Sequence, residues 1–105
     1  MIFYIILKEG DLMYKLLIVE DDFIIAKSLQ KHFEKYHYDV QYIEDFEHVL
    51  DDFLAFQPDL VLLDIHLPFF DGYYWCQEIR KISQVPIVFI SSANENMNIV
   101  LAMNM

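Results

Sequence analysis

Asp59-Leu60-Val61-Leu62-Leu63-Asp64-Ile65-His66-Leu67-Pro68 is the stretch that decides the fold. Four consecutive aliphatic side chains suit a strand buried on both faces, as in a parallel sheet, and a carboxylate closes the run at its carboxyl end. Pro68 and the Asp71-Gly72 pair are turn residues, so residues 67–72 read as a loop. Upstream, Lys15-Leu16-Leu17-Ile18-Val19 repeats the pattern and stops at Glu20-Asp21-Asp22. Downstream, Pro86 introduces Ile87-Val88-Phe89-Ile90, which ends at Ser91-Ser92. A shorter alternating strand is expected over residues 39–43.

Segments of helical period separate these strands. Over residues 23–36, Ile25, Leu29 and Phe33 recur every four positions while lysines, Gln30 and Glu34 take the other face. Asp45 is suited to cap a second helix with Phe46, Val49, Leu50, Phe53 and Leu54 on one stripe, stopped at Gln57-Pro58-Asp59. A third helix is expected over residues 73–82, with Trp75, Cys76 and Ile79 inward. Met97, Val100, Leu101 and Met105 are spaced as a last one. Strands alternating with helices predict an α/β fold, a doubly wound parallel sheet with helices on both faces.

The chain has 105 residues, 56% of them hydrophobic, enough for one compact domain. Seventeen acidic against seven basic side chains give a net charge of −10, the wrong sign for binding nucleic acid through its phosphates. Cys76 is the only cysteine, which excludes an internal disulfide and makes a cytoplasmic location the default expectation. Met1-Ile2-Phe3-Tyr4-Ile5-Ile6-Leu7 is apolar but lacks a basic start and a small-residue cleavage site, and is too short to span a bilayer, so no direct membrane binding is expected. Lys8-Glu9-Gly10 can be encoded by a purine-rich ribosome-binding sequence just ahead of Met13. The reading is a leader or extra strand over residues 1–12 and a domain over residues 13–105.

In open parallel sheets, ligands bind beyond the carboxyl ends of the strands. Strand one supplies Glu20 and Asp21 there, strand three Asp64, and strand four Ser91. Three neighbouring carboxylates repel one another unless a cation sits among them, and a hard divalent ion such as Mg2+ suits oxygen ligands. A hydroxyl beside that ion can hold a phosphoryl oxygen. Any one of Asp22, Asp45 or Asp71 is more simply a cap or turn residue, and Asp22 is assigned to capping. His66 has no second histidine spaced with it as a metal ligand, and His32, His37 and His48 fall on or beside helix surfaces. The aromatic run Phe69, Phe70, Tyr73, Tyr74 and Trp75 is more simply packing than a ligand platform.

Leu17-Ile18-Val19-Glu20-Asp21-Asp22, then Asp59 through Pro68 with Asp71-Gly72, then Val85-Pro86-Ile87-Val88-Phe89-Ile90-Ser91-Ser92, resemble the receiver domain of a bacterial two-component response regulator. The likeness runs from Met13 to Met105 in order and spacing. It implies a flavodoxin-like, three-layer receiver fold with Asp64 as phosphoacceptor for a sensor histidine kinase. It also implies Mg2+ on Glu20, Asp21, Asp64 and the backbone carbonyl of His66, with Ser91 bonding the phosphoryl group. The Glu-Asp-Asp variant, the aromatic stretch after Pro68 and the Phe89-Ile90-Ser91-Ser92 run look most like regulators with a C-terminal winged-helix DNA-binding domain. Within these the likeness is to the group answering small membrane kinases that sense cell-envelope peptides and antibiotics.

The family's fifth strand with its Lys-Pro pair is not in this sequence, which carries four of five βα units. The expectation is a truncated receiver, weak at holding an aspartyl phosphate, whose DNA contact would need an output domain not in this chain. An open strand-four edge then invites residues 2–7, or a second copy as a homodimer. Two rival readings stand beside this one. A Mg2+-dependent phosphatase or phosphotransferase would normally carry a second aspartate at the position of His66; a non-phosphorylatable interaction module would not need all of Glu20, Asp21, Asp64 and Ser91.

Overall fold

A computed structural model describes residues 13–90 of the chain. Four parallel strands, β1 (Lys15–Val19), β2 (Asp39–Tyr42), β3 (Leu60–Asp64) and β4 (Ile87–Ile90), lie in the order β2-β1-β3-β4. Three helices connect them: α1 (Phe23–Glu34), α2 (Val49–Phe56) and α3 (Gly72–Arg80). Parallel neighbours need crossover connections, and each helix supplies one.

Strand alternation divides the core between the two faces of the sheet. Leu16, Ile18 and Leu62 face α1 and pack with Ala26 and Val40. Leu17, Val19, Val61 and Leu63 face the other way, against Val49, Phe53 and Phe56 of α2 and Trp75, Cys76 and Ile79 of α3. The expected three layers are present, and the three inward residues of α3 are as the sequence suggested.

Several boundaries and faces differ from the sequence reading. On α1 the fully buried residue is Ala26, while Ile25 is 45% exposed. The helix ends at Glu34, before His37 takes a left-handed φ of 68°. Asp45 does not cap α2, which begins four residues later; it holds the preceding turn by accepting from the Glu47 N–H and pairing with His48 Nδ1 at 2.8 Å. Phe46 consequently packs on the core from a loop, and Leu54 is 53% exposed. β3 also runs one residue further, so that Asp64 lies opposite Ile90 inside the ladder instead of after it.

Asp22 caps α1 as expected, its Oδ1 accepting from the N–H groups of Ile24 and Ile25 at 3.0 and 3.3 Å. Asp71 does the same for α3, accepting from the Tyr74 N–H at 2.9 Å. Both caps fall immediately after strand-end loops and fix where those loops run. Among the described residues β4 has β3 on one side and no strand on the other, with Val88 47% exposed. The leader, Ser91 and the last expected helix lie outside the described residues.

Candidate functional site

Register brings the site together. Val19 lies opposite Leu63, so the residues after β1 and at the end of β3 reach the same rim of the sheet. Glu20 follows Val19 directly and Asp64 follows Leu63, which puts the two carboxylates side by side. One ligand oxygen from each of Glu20, Asp21 and Asp64 lies within 4.8 Å of the other two. The three acids picked from strand ends thus converge, although they are separated by as much as 44 positions in the chain (20 to 64).

Their environments are unequal. Glu20 is 9% exposed, whereas Asp21 is exposed and Asp64 lies between. Glu20 Oε2 accepts from the Asp22 N–H at 3.1 Å, and Asp64 Oδ1 accepts from the His66 N–H at 3.3 Å. The Glu20 carboxyl is pushed up to about 7, first by burial and then by the neighbouring Asp64 and Asp21, against the opposing pull of the Asp22 N–H. Burial, more than the mutual repulsion anticipated from the sequence, is therefore the larger cause.

The loop after β3 is held by backbone contact. Gly72 donates its N–H to the Ile65 carbonyl at 2.8 Å, and Ile65 donates to Ile90 at 3.3 Å. A Cβ built on Gly72 would collide with the Asp64 carbonyl oxygen and stand 3.0 Å from both the Asp64 carbonyl carbon and Ile65 Cα. Glycine is thus required by close approach of the α3 start to the strand that presents Asp64. By residue type the Asp71-Gly72 pair reads as a turn and as part of the receiver likeness; its close packing on the end of β3 is what the structure adds. Phe69, with φ 69°, completes this loop as the Phe70 N–H donates to the Pro68 carbonyl at 2.9 Å.

The raised proton affinity of Glu20 has a measurable consequence. The metal-free folded chain holds that proton up to about pH 7, whereas an unfolded chain releases it near 4.5. Ionised Glu20 therefore weakens the fold at pH 8, and this penalty disappears as pH falls through 7 toward 4.5. Urea unfolding without metal should show Glu20→Gln more stable than the parent at pH 8, by on the order of 2 kcal/mol. The gap should close by about pH 5. A gap of the same size at both pH values would show that Glu20 is not protonated in the fold.

A family profile described as the response regulator receiver domain matches residues 16–105. This chain belongs to that family. The receiver is 51% identical over 90 residues to an uncharacterized transcriptional regulatory protein, YvcP, of Bacillus subtilis strain 168, covering 86% of this chain and 38% of that one. It is 43% identical over 91 residues to the response regulator GraR of Staphylococcus aureus, covering 87% of this chain and 41% of GraR. It therefore spans about two fifths of the length of these curated relatives. Among solved structures it is similar to the N-terminal domain of the lantibiotic response regulator NsrR, at 46% identity and a TM-score of 0.78, over 87% of this chain and 77% of that one. The receiver domain of Klebsiella pneumoniae RstA, in a BeF3-activated form, gives 33% identity and a TM-score of 0.79, over 86% of this chain and 77% of the other. Among the described residues, no helix of the receiver is long and apolar enough to cross a membrane.

The donor set fits a small hard cation. Mg2+ takes oxygen ligands at about 2.1 Å, so two ligand oxygens on one ion lie up to about 4.2 Å apart. Carboxylate oxygens within 4.8 Å of each other need only small side-chain rotations to meet that spacing. No thiolate or imidazole belongs to this cluster, which favours Mg2+ over softer metals.

Proposed function

We propose that this receiver takes a phosphoryl group from a sensor histidine kinase onto Asp64, and so controls a DNA-binding output domain in the longer protein. The observation that supports this best is the convergence of Glu20, Asp21 and Asp64 on one sheet rim. Glu20, Asp21, Asp64 and the backbone carbonyl of His66 would hold Mg2+, which supplies charge neutralisation for a carboxylate approaching a phosphoryl group. The Asp64 carboxylate oxygen attacks phosphorus, the P–N bond to the kinase histidine breaks, and the imidazole leaves with the bonding pair and takes a proton. The His66 N–H on Oδ1 orients the carboxylate and leaves its other oxygen for attack. Ser91 is assigned the phosphoryl hydrogen bond.

The likeness to RstA in its BeF3-activated form supports a phosphoryl-responsive site, and the likeness to NsrR, a lantibiotic response regulator, supports a role in the response to envelope-directed peptides. The names of YvcP and GraR support a regulatory output.

The test is incubation with a small acyl phosphate and Mg2+. It is run on this chain and on a hybrid extended by the following segment of the B. subtilis relative. Both should gain one base-labile phosphoryl group on the peptide holding Asp64, the hybrid to the greater extent. Label on a different residue, or none on either form, would overturn the assignment.

A further inference from the structure

On the side of Glu20 and Asp21 away from Asp64's loop lies a cavity of about 180 Å³ between the start of α1 and the segment after β2. Its walls carry three carboxylates, Glu20, Asp21 and Glu44, and three aromatic rings, Phe23, Tyr42 and Phe46. None of its lining residues is basic. Phe23 meets Tyr42 edge to face, with centroids 5.9 Å apart. The chain already places one ammonium against this wall, because Lys27 Nζ stands 5.8 Å from the Tyr42 ring centroid. Aromatic faces attract cations, and rim carboxylates in a chain of net charge −10 strengthen that attraction. A cavity of about 150 Å³ accommodates benzene, so this one has room for a planar cationic head and part of an alkyl stem.

We propose that this cavity is a binding site for a guanidinium group on an alkyl stem. The planar head would lie against Tyr42 and Phe23 with its N–H groups toward Glu44 and Asp21, and the stem would follow the Phe46 side. The cavity shares Glu20 and Asp21 with the metal cluster but is not lined by Asp64, so the proposal stands whether or not Asp64 accepts a phosphoryl group.

Butylguanidinium, a guanidinium on a four-carbon alkyl stem, is the probe, titrated into the metal-free 105-residue chain and followed by amide and aromatic NMR shifts. Saturable shifts at Phe23, Tyr42, Glu44 and Phe46 are expected, with a Kd of roughly 1–10 mM for so open and small a site. Glu44→Gln should weaken binding about threefold while leaving Mg2+ affinity unchanged, because Glu44 is outside the metal cluster. Lys27→Gln should tighten it about twofold by removing the resident cation. A blocked arginine amide binding as well as butylguanidinium would identify a protein-borne side chain as the ligand, and butylguanidinium alone a free small molecule. Equal shifts from uncharged butylurea, shifts centred elsewhere, or shifts that never saturate would overturn the proposal.

Discussion

Asp64→Asn should remain folded and lose phosphoryl uptake from an acyl phosphate by at least about a thousandfold, in this chain and in the extended hybrid alike. The amide has nearly the volume of the carboxyl and its oxygen can still accept the His66 N–H, so the rim keeps its shape. What disappears is the anionic nucleophile. A second effect separates this outcome from misfolding. Removing the charge beside Glu20 relieves one of the causes that raise the Glu20 carboxyl, so the metal-free variant should be more stable than the parent at pH 8. Persistent acid-labile, base-stable label would point to His66, and persistent base-labile label to Asp21. Either would remove Asp64 from its role.

Gly72→Ala should destabilise the fold by about 2–4 kcal/mol, although helix propensity alone favours alanine by about 1 kcal/mol at a helical position. The two effects have opposite signs and sterics is the larger. The new methyl would run into the Asp64 carbonyl oxygen and approach the Ile65 Cα to 3.0 Å. These are backbone atoms, which cannot rotate away as a side chain would. Relief requires α3 to retreat or the end of β3 to bend, and each breaks something: the Gly72 N–H bond to Ile65, or the ladder pairing of Asp64 with Ile90. Phosphoryl uptake should fall together with stability, because the strain is delivered to the residue that carries it. Urea unfolding gives the measurement, and a change within about 0.5 kcal/mol would show that the loop yields freely.

The parts of this fold that were legible in the sequence are those where one physical demand dominates. Leu60-Val61-Leu62-Leu63 must be buried on both faces, and a parallel strand between two helical layers is the arrangement that does so. Once β1 and β3 are neighbours, acids at their ends must meet, so Glu20, Asp21 and Asp64 could be grouped from sequence. The start of α2 was less legible because Asp45 has two local uses, helix cap or turn. His48, three positions on, gave its carboxylate a partner in the turn. Ile25 and Ala26 illustrate a different limit: a four-residue period locates a helix face only to within one position, and the smaller side chain lies closest to the sheet. The collision that makes Gly72 obligatory depends on how the loop after β3 folds back on Asp64, and the cavity beside Phe23 on the approach of two separate segments, so neither follows from residue types alone.

Convergence of three carboxylates on one divalent ion is most directly tested with Mn2+ in place of Mg2+, since its paramagnetism broadens NMR signals of nearby nuclei. Substoichiometric Mn2+ should broaden the amides of Glu20, Asp21, Asp64, Ile65 and His66 first, and excess Mg2+ should restore them. Broadening that centres on the exposed acids Asp45, Asp51 and Asp52, or spreads over the surface without a focus, would contradict the account.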